Sequence, residues 1–168
     1  MDFFEIIAQR QSVRKYQLKA VEAEKLNKIV DSANRAPSAG NFQAYEIYVV
    51  RGGVQRKALA AATFEQDFIA QAPLLLVFCM NPARCEYTPA ETFAMEDASI
   101  ACTFSMLAAT AVGLATCWIG AFDAEKAARV VGCKQGVSPM AILAIGYAAE
   151  APERTTRRAV NDLVHTVS

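Results

Sequence analysis

A chain of 168 residues has the length of one domain, here 1–168, and is long enough to enclose its own core. Basic and acidic residues balance at 17 each, so net charge gives no argument for nucleic acid or an anionic membrane as partner, and function must rest on local clusters. Hydrophobic residues reach 54%, above the usual share, and the surplus points to an extensive subunit interface.

The first apolar stretch predicts a helix over Phe3–Gln9. Arg10-Gln-Ser12-Val-Arg14-Lys-Tyr16 follows; if this segment is extended, residues two apart face the same way. Arg10, Ser12 and Arg14 would then offer two guanidinium groups and a hydroxyl to a phosphate monoester, although a solvated basic turn has the same composition. Apolar positions at helical spacing predict a second helix over Val21–Arg35, stopped by Pro37. Pro37-Ser38-Ala39-Gly40-Asn41 reads as a loop in which Gly40 can take a positive φ, and an ordinary helix-ending turn fits it equally well.

A strand is expected over Tyr45–Arg51, short helices over Val54–Ala62 and Gln66–Gln71, and a strongly apolar strand over Leu74–Met80. Residues 81–92 read as a loop long enough for a lid. A long helix is predicted over Phe93–Val112, with Glu96 and Asp97 favouring its N-terminal dipole, then a buried central strand over Leu114–Ile119. A helix capped by Asp123 runs to Val131, the last strand covers Pro139–Tyr147, and the tail is weakly amphipathic over Ala159–Val164. Helices separate the strands singly or in pairs, which suggests α+β.

Residues 98–122 carry no charge over 25 positions, enough for a membrane span by length. Their Ala, Ser, Thr, Cys and Gly content and the stop at Gly113 instead predict a fully buried helix and a strand, with no membrane as partner. The five cysteines are odd in number and lack C-x-x-C, and His165, expected to be solvated, is the only histidine, so a zinc site is disfavoured. They read as reduced thiols in a cytoplasmic protein, and MDFFEIIAQR has no basic n-region of a secretory signal.

Three motifs in order, R-x-S-x-R-x-Y, A-P-S-A-G-N-x-Q and Met95-Glu96-Asp97, followed by Gly113 to Asp123, Gly146-Tyr147 and Arg157-Arg158, make the chain resemble the nitroreductase family of FMN-dependent oxidoreductases. One departure is Ala44-Tyr45, where the family often has Pro-Trp. The resemblance implies a mixed, mainly antiparallel sheet flanked by helices in an intertwined homodimer, with the long helix at the interface. It places Arg10, Ser12, Arg157 and Arg158 at the FMN phosphate and Arg14 toward the ribityl and the flavin N1 edge, as electrostatic support. Pro37, Ser38, Ala39 and Asn41 would meet the ring from the opposite subunit. Trp118, Ile119 and Gly120 would lie against the flavin edge, and Gln66 near the pyrimidine or ribityl end; taken alone, Trp118 reads as a core residue.

The implied activity is transfer of hydride from NADH or NADPH to flavin N5 and on to a nitroaromatic, quinone or flavin by a ping-pong cycle. No catalytic side chain and no metal are called for, because the cofactor carries the chemistry. The sequence has no G-x-G-x-x-G, G-x-S-x-G or H-E-x-x-H, which disfavours Rossmann dehydrogenases, serine hydrolases and zincins. Dehalogenating or flavin-destroying enzymes of the same fold, and a non-catalytic flavin carrier or redox sensor, remain as alternatives.

Overall fold

A computed structural model describes residues 1–64 and 66–167. The elements in chain order are α1 (Phe3–Gln9), α2 (Ala23–Asn34), β1 (Tyr45–Val50), α3 (Gly53–Ala60), β2 (Leu74–Met80), α4 (Ala90–Ala111), β3 (Ala115–Ile119), α5 (Ala124–Val131) and β4 (Ser138–Gly146). Short 3-10 turns lie at Ala39–Asn41, Asp67–Gln71, Pro82–Arg84 and Val160–Asp162. The N-terminus of α1 is closed by a capping box between Asp2 and Glu5, and Asp123 caps α5 by accepting from the Lys126 N–H, as its position predicts.

The strands form one sheet in the order β1-β2-β4-β3, and every neighbouring pair is antiparallel. Its mixed character comes down to one parallel bridge, Ser12 to Thr116. β2 lies inside the sheet and is buried on both faces, so it is apolar at every position and its alternation sorts side chains between two cores. Leu74, Leu76 and Phe78 pack with Ile29 and Ala33 of α2 and Ala101 and Cys102 of α4. Leu75, Val77 and Cys79 face the other way, into a core shared with Leu59 of α3, Ala127 of α5, Val13 and Tyr16.

Several boundaries differ from expectation. α4 begins at Ala90 rather than Phe93, because proline is well tolerated at a helix start and Pro89 stands there. The 81–92 loop therefore shortens to 81–89 and contains a 3-10 turn. α4 is not fully buried: Ala94, Asp97, Ala98, Ala101, Cys102, Ser105 and Ala109 form its covered stripe, while Met95 and Phe104 are exposed in the single chain. β3 is an edge strand rather than a central one, its open side met by the 12–13 segment. The 66–71 helix is a 3-10 turn, and the tail beyond Ala159 is an exposed turn. No described helix is long and apolar enough to cross a membrane.

Candidate functional site

After α1 the chain runs extended along the edge of β3. The Val13 N–H donates to the Thr116 carbonyl at 3.0 Å, and further on Tyr16 bridges to Ala148. Val13 and Tyr16 turn inward, and the Tyr16 hydroxyl donates to the Val13 carbonyl at 2.7 Å, its phenol pushed well up by burial. Arg10, Ser12 and Arg14 line a common cavity of about 180 Å³, as two-residue spacing on an extended segment predicts. Gln11, Pro152, Glu153, Thr155 and Arg157 complete its wall.

The tail reaches this cavity because Glu150 fastens it there, its Oε1 accepting from the N–H groups of Arg14 at 2.6 Å and Lys15 at 3.1 Å. Arg157 is aimed by its own neighbours: Nη1 donates to Thr155 Oγ1 at 2.6 Å and to the Thr156 carbonyl at 3.0 Å. Arg158 is exposed and is not part of the cavity wall. Three guanidinium groups against the single carboxylate of Glu153 leave a net positive cavity, suited to a phosphate dianion. Among the described residues, none of these three arginines takes part in an ion pair. Cys117 lies behind Ser12; burial pushes its thiol up against the pull of Arg14, a Ser12 hydrogen bond and Arg10, which makes it a packing thiol and not a nucleophile.

Among the described residues, the positive φ angles outside glycine fall in the 37–43 loop. Gly40, Asn41 and Gln43 all have positive φ, at 53°, 57° and 48°. Buried Asp97 holds this shape: Oδ1 accepts from the Ala39 N–H at 2.9 Å and Oδ2 from the Ala44 N–H at 3.1 Å. Ser38 Oγ accepts from the Gln43 N–H at 3.1 Å, and Arg84 Nε donates to the Gln43 carbonyl at the same distance. Asp97 therefore has a different task from the dipole role its place on α4 suggests. Pro37, Ser38, Ala39 and Asn41 do not line the arginine cavity within one chain.

Beyond Thr116, β3 carries half-buried Trp118, packed against the α2/α4 core, and buried Ile119, then exposed Gly120. An added Cβ at Gly120 would meet only Trp118, at 3.6 Å, so nothing within the chain demands glycine there. Gln66 Nε2 donates to the Ala121 carbonyl at 3.1 Å, which brings this expected residue to the end of β3 although not to the arginine cavity. Sequence reasoning missed Glu150 and Glu153, and it gave Asp97 a helix-dipole role in place of its hold on the 39–44 backbone. Only Asp97 left a signal, as an acidic residue among the apolar and small positions of α4.

These features define an α+β protein with a basic cavity at the edge of an antiparallel sheet. The nitroreductase family profile matches residues 7–83 and 60–147, and the chain belongs to that family. A Methanothermobacter thermautotrophicus protein, assigned by name to the NADH dehydrogenase/NAD(P)H nitroreductase group, is 31% identical over 156 residues, covering 90% of this chain and 80% of its own. The FMN reductase [NAD(P)H] of Bacillus subtilis is 27% identical over 168 residues, covering 90% and 68%. The crystal structure of a nitroreductase family protein from Clostridium difficile superposes with a TM-score of 0.88 at 30% identity, over 98% of both chains.

Proposed function

We propose that this NAD(P)H-dependent oxidoreductase binds FMN and passes electrons from NADH or NADPH to a small acceptor of the nitroaromatic, quinone or flavin class. The observation that carries the reading is the cavity uniting Arg10, Ser12 and Arg14 with Arg157 from the far end of the chain. Its positive excess fits the doubly charged phosphate of FMN, and the 37–43 loop, pinned in a shape few residues adopt, fits a surface laid against a flat ring. When bound, FMN would take hydride from the nicotinamide and hand the reducing equivalents to the acceptor.

The chain's own part is binding and orientation. Arg10, Arg14 and Arg157 neutralise the phosphate, Ser12 adds a hydroxyl, and Tyr16 and Glu150 hold the backbone that carries them. Arg158 is outside that cavity, which favours Arg157 as the tail's phosphate ligand. Trp118 and Ile119 of β3, Gly120 just after it, and Gln66, hydrogen-bonded to the Ala121 carbonyl, would border the ring. Donor and acceptor would use one open face in turn, a ping-pong cycle.

The 37–41 residues do not line the cavity of their own chain, and in our reading they meet the ring from a second copy, as a homodimer. A groove of about 280 Å³ lined by Phe3, Ile6, Phe104 and Leu107 offers the apolar face for it. Five free cysteines suit a reducing cytoplasmic setting.

The deciding experiment is anaerobic addition of NADH or NADPH to the purified yellow protein. The flavin band near ~450 nm should bleach and return when acceptor is added. Bound FMN that stays oxidised would mean a carrier or sensor, and protein without FMN would refute the assignment.

A further inference from the structure

On the sheet face turned away from α4, two free cysteines from distant parts of the chain touch. Cys79, near the end of β2, is fully buried, and Cys133, just after the left-handed Gly132 that ends α5, is half-buried. Their sulfurs are 3.7 Å apart, across 54 residues of sequence. Both are held by backbone: Cys79 pairs with Glu46 on β1 and Pro139 on β4, and the Cys133 N–H donates to the Ala128 carbonyl at 2.9 Å. A disulfide spans about 2.05 Å, so each sulfur needs to move only about 0.8 Å, within reach of side-chain rotation. Among the described residues no other pair of cysteines is in contact.

We propose that Cys79 and Cys133 form an oxidation site, a dithiol that closes to an intramolecular disulfide when hydrogen peroxide reaches it. Cys133, the less buried of the two residues, is the one assigned to react with peroxide first. One peroxide oxygen is transferred to it, giving a sulfenic acid and one water. The Cys79 sulfur then attacks the Cys133 sulfur: the S–S bond forms, the S–O bond breaks, and the hydroxyl leaves as a second water with the Cys79 proton. Two thiols lose two electrons and two protons, and one peroxide becomes two waters. Burial pushes the Cys79 thiol up, which disfavours it as the first to react; its contact with Cys133 at 3.7 Å is what makes it the resolving sulfur. The product staples the end of β2 to α5, the helix that follows the Trp118–Asp123 segment.

The inference rests on geometry alone and does not depend on the flavin reading. The test treats the reduced protein, with whatever cofactor it carries, with hydrogen peroxide, then denatures it in N-ethylmaleimide. The expected result is a loss of two alkylation sites, a cross-linked peptide pair containing Cys79 and Cys133, and full recovery with dithiothreitol. The melting temperature should rise by roughly 5–10 °C on oxidation. Cys133→Ser, a half-buried and tolerant change, should abolish the cross-link and the shift, whereas Cys85→Ser should leave both. Five alkylated cysteines after peroxide, Cys133 carried to sulfinic acid with no cross-link, or a cross-link through Cys85 or a second chain would each overturn the proposal.

Discussion

Removing the Asp97 carboxylate tests whether one buried side chain sets the shape of the 37–43 loop. It accepts two backbone N–H groups, from Ala39 at 2.9 Å and Ala44 at 3.1 Å, and Ala44 is fully buried. A hydrogen bond to a charged group contributes about 1.5–3 kcal/mol. Asp97→Asn keeps one acceptor oxygen and points an amide N–H₂ at the other N–H, so it should cost about one such bond, ~1.5–3 kcal/mol. Asp97→Ala strands both donors and should cost about 3–6 kcal/mol. For a chain of this size each kcal/mol moves the melting temperature by roughly 2–4 °C, so calorimetry should place the asparagine variant about 3–12 °C below wild type and the alanine variant lower still. FMN affinity should fall with the same ranking, because the positive-φ backbone at Gly40, Asn41 and Gln43 loses its anchor. An alanine variant that melts within about 1 °C of wild type, or an asparagine variant less stable than alanine, would refute the reasoning.

Other outcomes follow from the same geometry. Arg10→Ala and Arg157→Ala should each weaken FMN about ten- to a hundredfold in a fluorescence titration, while Arg158→Ala should change it by less than about twofold; equal losses at Arg157 and Arg158 would contradict the cavity assignment. Leu107→Glu puts a carboxylate into the apolar groove beside Phe3 and Phe104 and should yield monomer with lost FMN affinity in sedimentation and titration; a dimer that keeps both would remove that groove as the interface. Gly146→Val should destabilise by about 1–3 kcal/mol in urea unfolding, because an added Cβ would stand 2.6 Å from Pro73 Cδ and 2.9 Å from Tyr16 Cδ1; unchanged stability would show that this contact yields freely.

Local chemistry was readable from the sequence. The alternation of Arg10, Ser12 and Arg14 placed them in one cavity, the glycine in the 37–41 loop does have a positive φ, and Asp123 does cap its helix. Long-range partners were not, because nothing near Asp97 says that its carboxylate reaches back 58 residues to Ala39, and nothing near Glu150 says that it meets Arg14, 136 residues away. Strand order failed for the same reason. An apolar run over Leu114–Ile119 fits a central strand, and only the pairing reveals an edge strand whose open side is met by the 12–13 segment. The Ala44 departure gains a meaning only from the fold: its N–H feeds Asp97, a bond that proline cannot donate.

Some charges hold the chain, and others line a cavity without an ion-pair partner among the described residues. Two segments are pinned by carboxylates acting on backbone, the 39–44 turn by Asp97 and Arg14 and Lys15 by Glu150. The five ion pairs found among the described residues use other cations, three or four residues from their partners on or beside helices. Arg10, Arg14 and Arg157 are left out of both arrangements, so their charge is not spent on stability. A guanidinium without a carboxylate partner has donors left for an incoming anion; Arg157 commits its Nη1 to Thr155 and Thr156, and all three arginines line one cavity. Glu150 uses a single oxygen on two backbone N–H groups, and among the described residues the neighbouring Arg14 guanidinium has no ion-pair partner.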